Sequence, residues 1–67
     1  MKIYEITLYD KENPAYATCI KKGVRHIRYI YWLGKWIEFD FGDRKERYNA
    51  KRYYIGKILE YDHELFL

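Results

Sequence analysis

The chain has 67 residues, and its 13 lysines and arginines exceed its 10 acidic residues to give a net charge of +3. This length accommodates one small domain, spanning residues 1–67, and the modest positive charge excludes a histone-like polycation. The only cysteine, Cys19, excludes an intramolecular disulfide, and Cys19, His26 and His63 lack the spacing of a zinc site. We therefore expect no bound metal and no cofactor.

The N-terminal sequence MKIYEITLYD lacks an apolar signal segment, and no apolar run approaches the length needed to span a membrane. A free thiol without a disulfide partner is typical of reducing compartments. We expect a cytoplasmic protein, intracellular and reduced, with no membrane partner.

The first third of the chain predicts two strands. Residues 2–10 alternate between apolar and polar side chains, which indicates a half-buried strand. After a loop that ends at Pro14, residues 15–21 form a second strand. A tight turn predicted at Lys22-Gly23 would pair this second strand with the strand that follows. The expected result is a four-stranded meander whose core face includes Ala15, Ala17 and Cys19.

Residues 24–41, VRHIRYIYWLGKWIEFDF, predict a β-hairpin at the centre of the fold. The predicted connection is a two-residue type II′ turn at Gly34-Lys35, because glycine accepts the positive φ that this turn requires. In the resulting register Ile30 faces Phe39. One face is then a core, made of Val24, Ile30, Trp32, Ile37, Phe39 and Phe41. The other face is aromatic and carries Ile27, Tyr29, Tyr31, Leu33 and Trp36, together with Glu38 and Asp40.

The second half of the chain allows two interpretations. A helix could begin at about Arg44, with Asp43 as its N-cap. Against it stand Gly56 in the interior and the β-favouring residues 53–55. The alternative is a hairpin that turns at Gly42-Asp43, followed by a short turn at residues 49–52 and a last strand over residues 53–61.

The second interpretation resembles the latter half of small SH3-like β-barrels, in which a hairpin, a one-turn helix and a closing strand follow a bent central sheet. The resemblance covers residues 36–61. It implies a mainly β fold, namely a small five- to six-stranded antiparallel barrel or a strongly bent sheet. The competing fold is a four-stranded antiparallel sheet with one C-terminal helix packed on it. The acidic and then apolar tail, residues 62–67, is expected to dock on its own domain or on a neighbour.

Enzyme chemistry finds little support in the sequence. Cys19 and His26 face each other in the predicted register, but no third group orients them and no cleft encloses them. Glu38 and Asp40 are expected to accept hydrogen bonds from their cross-strand tyrosines, Tyr31 and Tyr29. We expect a non-enzymatic protein without a small-molecule substrate.

Basic residues form two clusters, and both interleave arginine with tyrosine. Guanidinium groups pair with phosphate, and tyrosine rings stack on unpaired bases, so this combination favours nucleic-acid binding. The basic clusters are expected to form one rim beside a platform of Tyr29, Tyr31 and Trp36. The predicted nucleic-acid or partner site comprises Lys21, Lys22, Arg25, Arg28, Tyr29, Tyr31, Trp36, Arg44, Arg47, Lys51 and Arg52.

The alternative function is that of a protein-binding module, because the aromatic residues exceed what so small a core can hold. The chain is similar in style to small accessory proteins of phages and archaeal viruses. Under this hypothesis it binds and inhibits a host protein or defence complex through the aromatic face. The expected partner is thus nucleic acid or a host protein, and a homodimer is compatible with both hypotheses.

Overall fold

A computed structural model describes residues 2–62, which form six antiparallel strands and no helix. The predicted docking of the tail falls on residues 63–67, including His63, which lie outside this range. The strands are β1 (Lys2–Asp10), β2 (Asn13–Val24), β3 (His26–Tyr31), β4 (Lys35–Asp40), β5 (Lys45–Asn49) and β6 (Tyr53–Asp62). The predicted mainly β fold is confirmed, and the alternative fold with a C-terminal helix is wrong.

The strands form two three-stranded sheets, with the orders β2-β1-β6 and β3-β4-β5. Within residues 2–62 the two sheets do not join into a closed barrel, so the domain is an open pair of small sheets. The inner faces of the sheets share one core. Its buried members are Ile6, Leu8 and Val24 from the first sheet and Ile37, Phe39 and Phe41 from the second sheet and its flank. The side of β3-β4-β5 that faces away from this core is termed the outer face.

The predicted turn at Lys22-Gly23 is wrong, because β2 continues through both residues to Val24. Gly23 has a φ of +79° and lies where β2 has one residue more than β1, between the pairs Tyr4–Val24 and Ile6–Lys21. An extra residue in a left-handed conformation produces a bulge rather than a reversal. The strand β2 therefore pairs with β1 and not with β3.

This different pairing also removes the small residues from the predicted core face. Ala15 and Ala17 are exposed, whereas Cys19 is half-buried and contacts the core. Cys19 lies opposite Leu8, and His26 lies opposite Asp40, so the predicted pairing of Cys19 with His26 is wrong.

The central hairpin exists, but its register differs from the prediction. Residues 32–34 connect β3 to β4, so the connection has three residues instead of two. Gly34 has the predicted positive φ, at +122°, but Leu33 also adopts a positive φ, of +50°. Ile27 now faces Phe39, and Ile30 faces Trp36. Because side chains alternate along a strand, this shift places each side chain of β3 on the face of the sheet opposite to the predicted one.

The predicted core residues on β4 and beyond are confirmed, since Ile37, Phe39 and Phe41 are buried together with Val24. The predicted burial of Ile30 and Trp32 is wrong. Ile30 is half-buried on the outer face, and Trp32 is largely exposed in the connection. Half-buried Ile27 packs against the core from β3 instead.

The second predicted hairpin is confirmed. Asp40 pairs with Lys45, and the backbone N–H of Phe41 donates to the carbonyl oxygen of Arg44 at 2.9 Å across Gly42-Asp43. A turn at residues 50–52 then leads into β6, which returns to pair with β1 along its whole length.

Candidate nucleic-acid interface

Cross-strand pairing arranges the outer face of β3-β4-β5 in three rows. Residues paired directly across antiparallel strands share a face, and side chains next to the buried Ile37 and Phe39 point away from the core. The row nearest the β3–β4 connection contains Ile30, Trp36 and Asn49. The middle row contains Arg28, Glu38 and Arg47, and the third row contains His26, Asp40 and Lys45.

The middle row is an ion-paired triad with an acid at its centre. Arg28 Nε donates to Glu38 Oε1 at 2.6 Å, and Arg47 Nε donates to Glu38 Oε2 at 2.9 Å. The Glu38 side chain is only 1% exposed, whereas those of Arg28 and Arg47 are 60% and 57% exposed. The buried acid is thus bound through Nε by two arginines whose side chains are more than half exposed.

These contacts also fix the charge of the triad. The hydrogen bonds from Arg28 and Arg47 lower the pKa of Glu38, and their effect exceeds the opposing effect of burial. Glu38 is therefore ionised at neutral pH, and the triad carries one net positive charge. One carboxylate restrains a guanidinium group on each side of it, and guanidinium groups are suited to binding an anion.

An apolar pocket adjoins the triad at the β3–β4 connection. Its volume is about 220 Å³, and its lining is Ile30, Trp32, Leu33, Trp36 and Arg47. The indole N–H of Trp36 donates to the carbonyl oxygen of Trp32 at 2.9 Å, which fixes one tryptophan against the chain segment carrying the other. Arg47 belongs to both the pocket and the triad, so the apolar and cationic parts form one continuous site.

The predicted residues Lys21 and Arg44 meet through an acid outside this site. Lys21 Nζ lies 3.0 Å from Glu46 Oε1, and Arg44 Nε donates to Glu46 Oε2 at 3.1 Å. Tyr48 donates its hydroxyl to the same carboxylate. The hydrogen bonds from Lys21 and Tyr48 lower the pKa of Glu46 to about 2, and contacts to Tyr48 and Glu46 raise that of Lys21. This half-buried cluster ties β2 to β5.

The remaining predicted cations are dispersed. Lys22 Nζ lies 3.8 Å from a carboxylate oxygen of Glu5, and the guanidinium of Arg25 packs against the backbone of Gly42. The structure therefore brings Arg28 to Arg47 but does not assemble one continuous rim.

The other two predicted cations lie at the turn before β6. The side chain of Lys51 is exposed there. Arg52 Nε donates to Asp10 Oδ2 at 3.1 Å, beside the β1–β2 turn. The pKa of Asp10 is lowered, first by the backbone N–H of Glu12 and then by Arg52.

The predicted aromatic platform is divided between two faces. Tyr29 and Tyr31 lie opposite Ile37 and Lys35 respectively, on the face opposite to that of Trp36. The ammonium of Lys35 lies 4.8 Å from the ring centroid of Tyr29 and 5.8 Å from that of Tyr31. The register shift makes the expectation of one continuous platform wrong.

The acids also have partners other than the predicted tyrosines. Glu38 binds the two arginines, and Asp40 Oδ1 accepts the backbone N–H of Gly42 at 2.8 Å. Sequence reasoning missed Glu38, Ile30 and Trp32 as part of the site. The alternation of β4 places Glu38 and Trp36 on one face, but it places Ile30 and Arg28 beside them only when the β3–β4 connection has three residues.

Comparison of the chain with protein-family models, with curated protein sequences and with solved structures found no match. Among residues 2–62, no group of three or more His, Cys, Asp or Glu side chains is arranged to hold a metal ion. The same part of the chain has no helix with the length and apolar character needed to cross a membrane.

Proposed function

We propose that this chain is a small non-enzymatic nucleic-acid-binding module that uses the outer face of β3-β4-β5. The observation that carries the proposal is that Arg28 and Arg47 each donate Nε to the buried Glu38 while their side chains remain more than half exposed. Guanidinium groups bind phosphate oxygens through parallel hydrogen bonds, and here their orientation is set before a ligand arrives.

The charges of the outer face support a narrow contact with a phosphate backbone. Arg28, Arg47 and Lys45 supply three cations, whereas Glu38 and Asp40 supply two anions. Two or three phosphate contacts would give a slope of about −2 to −3 in a plot of log affinity against log salt concentration. The module would therefore bind with modest affinity and little sequence preference, because phosphate contacts carry no sequence information.

This proposal also includes an SH3-like type for the β fold and a cytoplasmic location for the protein. The assignment is supported by the order of the elements, in which a hairpin, a turn at residues 50–52 and a last strand returning to β1 follow one another. The location is supported by the single free cysteine, Cys19.

The test is a titration of labelled single-stranded and duplex oligonucleotides at low salt, followed by fluorescence anisotropy. Arg47→Gln should weaken binding to all sequences and lower the salt slope by about one. Lys45→Gln should do the same, and it keeps the test valid if Arg47→Gln fails to fold, because Lys45 has no ion pair within residues 2–62.

The matched control is Arg52→Gln, which removes an equal charge that lies outside the outer face and pairs with Asp10. Its affinity and slope should remain those of the unmodified protein. Thermal unfolding followed by circular dichroism identifies variants that are folded. Binding weaker than about 0.1 mM by both oligonucleotides would overturn the proposal, because that is the weak limit of non-specific binding even at physiological salt.

A second candidate function is recognition of a protein, of the phage or virus accessory type, through the β3–β4 connection. Tyr31, Trp32 and Leu33 are 73%, 72% and 90% exposed. Tyrosine and tryptophan are typical anchors of protein interfaces, and an exposed apolar patch is typical of such interfaces. Binding that persists at high salt and after nuclease treatment would favour this candidate, since apolar contacts are insensitive to screening. Sedimentation equilibrium tests whether the partner is a second copy of the chain.

A further inference from the structure

The pocket beside the triad is lined mainly by apolar side chains. Its apolar lining consists of Trp32, Leu33 and Trp36, together with Ile30 from β3. The polar atom of the Trp36 ring is already bonded to the Trp32 carbonyl oxygen, so the indole offers its apolar surface to a ligand. Aromatic surfaces of this kind stack on nucleobases of any sequence.

Because the pocket adjoins the triad, the chemistry of its occupant is restricted. Arg47 lines the pocket, and its Nε is held by Glu38 beside Arg28. A ligand with a flat apolar part and an anionic part on the adjoining atoms would contact both regions at once. A nucleotide has this chemistry, with its base in the pocket and a phosphate on the arginine pair.

Insertion of a base into this pocket would also distinguish between single and double strands. In a duplex each base is stacked between neighbours and paired, so it enters a side pocket only after unstacking, which costs a few kcal/mol. An unpaired base is already accessible for stacking on tryptophan.

We infer that the pocket accepts one unstacked base of a single-stranded nucleic acid, with an adjoining phosphate bound by Arg28 and Arg47. This inference rests on the proposed function and adds the class of nucleic acid. It assigns Trp32 and Trp36 to the base, and it assigns the triad to the backbone.

The chain itself supplies the reporter, because Trp32 and Trp36 are its only two tryptophans and both line the pocket. Intrinsic tryptophan fluorescence is measured during titration with three unlabelled ligands of equal length. These are a single strand, the duplex of the same sequence, and a single strand of abasic residues that retains every phosphate. The single strand should quench the fluorescence and bind about 5- to 150-fold more tightly than the abasic strand, which is the range expected for one stacked base.

Variants separate the pocket from the phosphate contacts. Trp32→Leu should lose most of the preference for the single strand over the abasic strand without changing the salt slope, since stacking releases no counterions. Trp32 lies in an exposed connection, so this variant should fold, and Trp36 remains as the reporter. Tyr16→Leu is the matched control, because Tyr16 is an equally exposed aromatic residue on β2.

The outcomes distinguish this inference from the proposed function. If the abasic strand binds as tightly as the single strand and leaves the fluorescence unchanged, the base pocket is refuted while nucleic-acid binding stands. If the duplex quenches and binds as tightly as the single strand, the preference for unpaired bases is refuted. If none of the three ligands binds, both the proposed function and the inference fail.

Discussion

Replacement of Phe39 by alanine is the strongest test of the architecture. Phe39 is completely buried between the sheets, and its ring lies 5.6 Å from that of Tyr48, measured between centroids. Truncation of a buried phenylalanine costs about 3–5 kcal/mol, through lost burial and the cavity that remains. A domain of this length has a total unfolding free energy of about 3–10 kcal/mol. The variant should therefore lose between about a third and all of this unfolding free energy.

Ile30→Ala is the matched comparison, because the register that sequence reasoning favours places Ile30 directly opposite Phe39 in the core. In the structure Ile30 is half-buried on the outer face and faces Trp36. Its truncation should cost about 1 kcal/mol, since a half-exposed side chain loses only part of its burial. Each kcal/mol lowers the melting temperature of so small a domain by about 4–8 °C.

The assay is thermal unfolding followed by far-ultraviolet circular dichroism for the unmodified protein and both variants. We expect a melting temperature lowered by about 4–8 °C for Ile30→Ala and a loss of more than about 12 °C, or no transition, for Phe39→Ala. Equal destabilisation by the two substitutions would refute the three-residue connection and the register built on it.

Three further results are expected. Unfolding in urea should show lower stability as pH falls from about 4.5 toward about 2, because the folded pKa of Glu46 is about 2, below its ordinary value of 4.5, and protonation removes its ion pair with Lys21. Since the Glu46 side chain is about a quarter exposed, solvent screening leaves a contribution of about 1 kcal/mol to the unfolding free energy. Glu46→Gln should remove this part of the acid sensitivity. Gly56→Ala should destabilise the protein, because the added Cβ would overlap the ring of Tyr9. The double variant with Tyr9→Ala should have a melting temperature higher than the sum of the two single effects implies, and additive effects would contradict the overlap. Gly34→Val should lower the melting temperature, because Gly34 has a φ of +122°, and an unchanged melting temperature would contradict this conformation.

Strand identity could be predicted from the sequence because alternation is a local property. The burial of Ile37 and Phe39 follows from a period of two, and the turn at Gly42-Asp43 follows from a glycine between two alternating runs. The length of the β3–β4 connection could not be obtained in this way. Trp32 has high β propensity and Leu33 is apolar, so these residue types do not distinguish the end of a strand from a loop.

The pairing of β2 exposes a second limit. A glycine after a lysine is compatible with a tight turn and with a bulge, and the two differ only in whether the chain reverses. At Gly23 the outcome depends on β1, which pairs with β2 on both sides of the bulge. That partner is distant in sequence from Val24, so the local pattern at Lys22-Gly23 does not contain the deciding information.

The sequence and the structure lead to different conclusions about the effect of Glu38 on an anion-binding site. As a count of charges, an acid among basic residues opposes an anion site. Once β3, β4 and β5 are paired, Glu38 lies between Arg28 and Arg47 and binds the Nε of each. It removes one positive charge but fixes two guanidinium groups that would otherwise lose side-chain freedom on binding. Because Glu38 already restrains both arginines, binding of an anion would cost less side-chain entropy, so an acid at this position is compatible with the proposed anion contact.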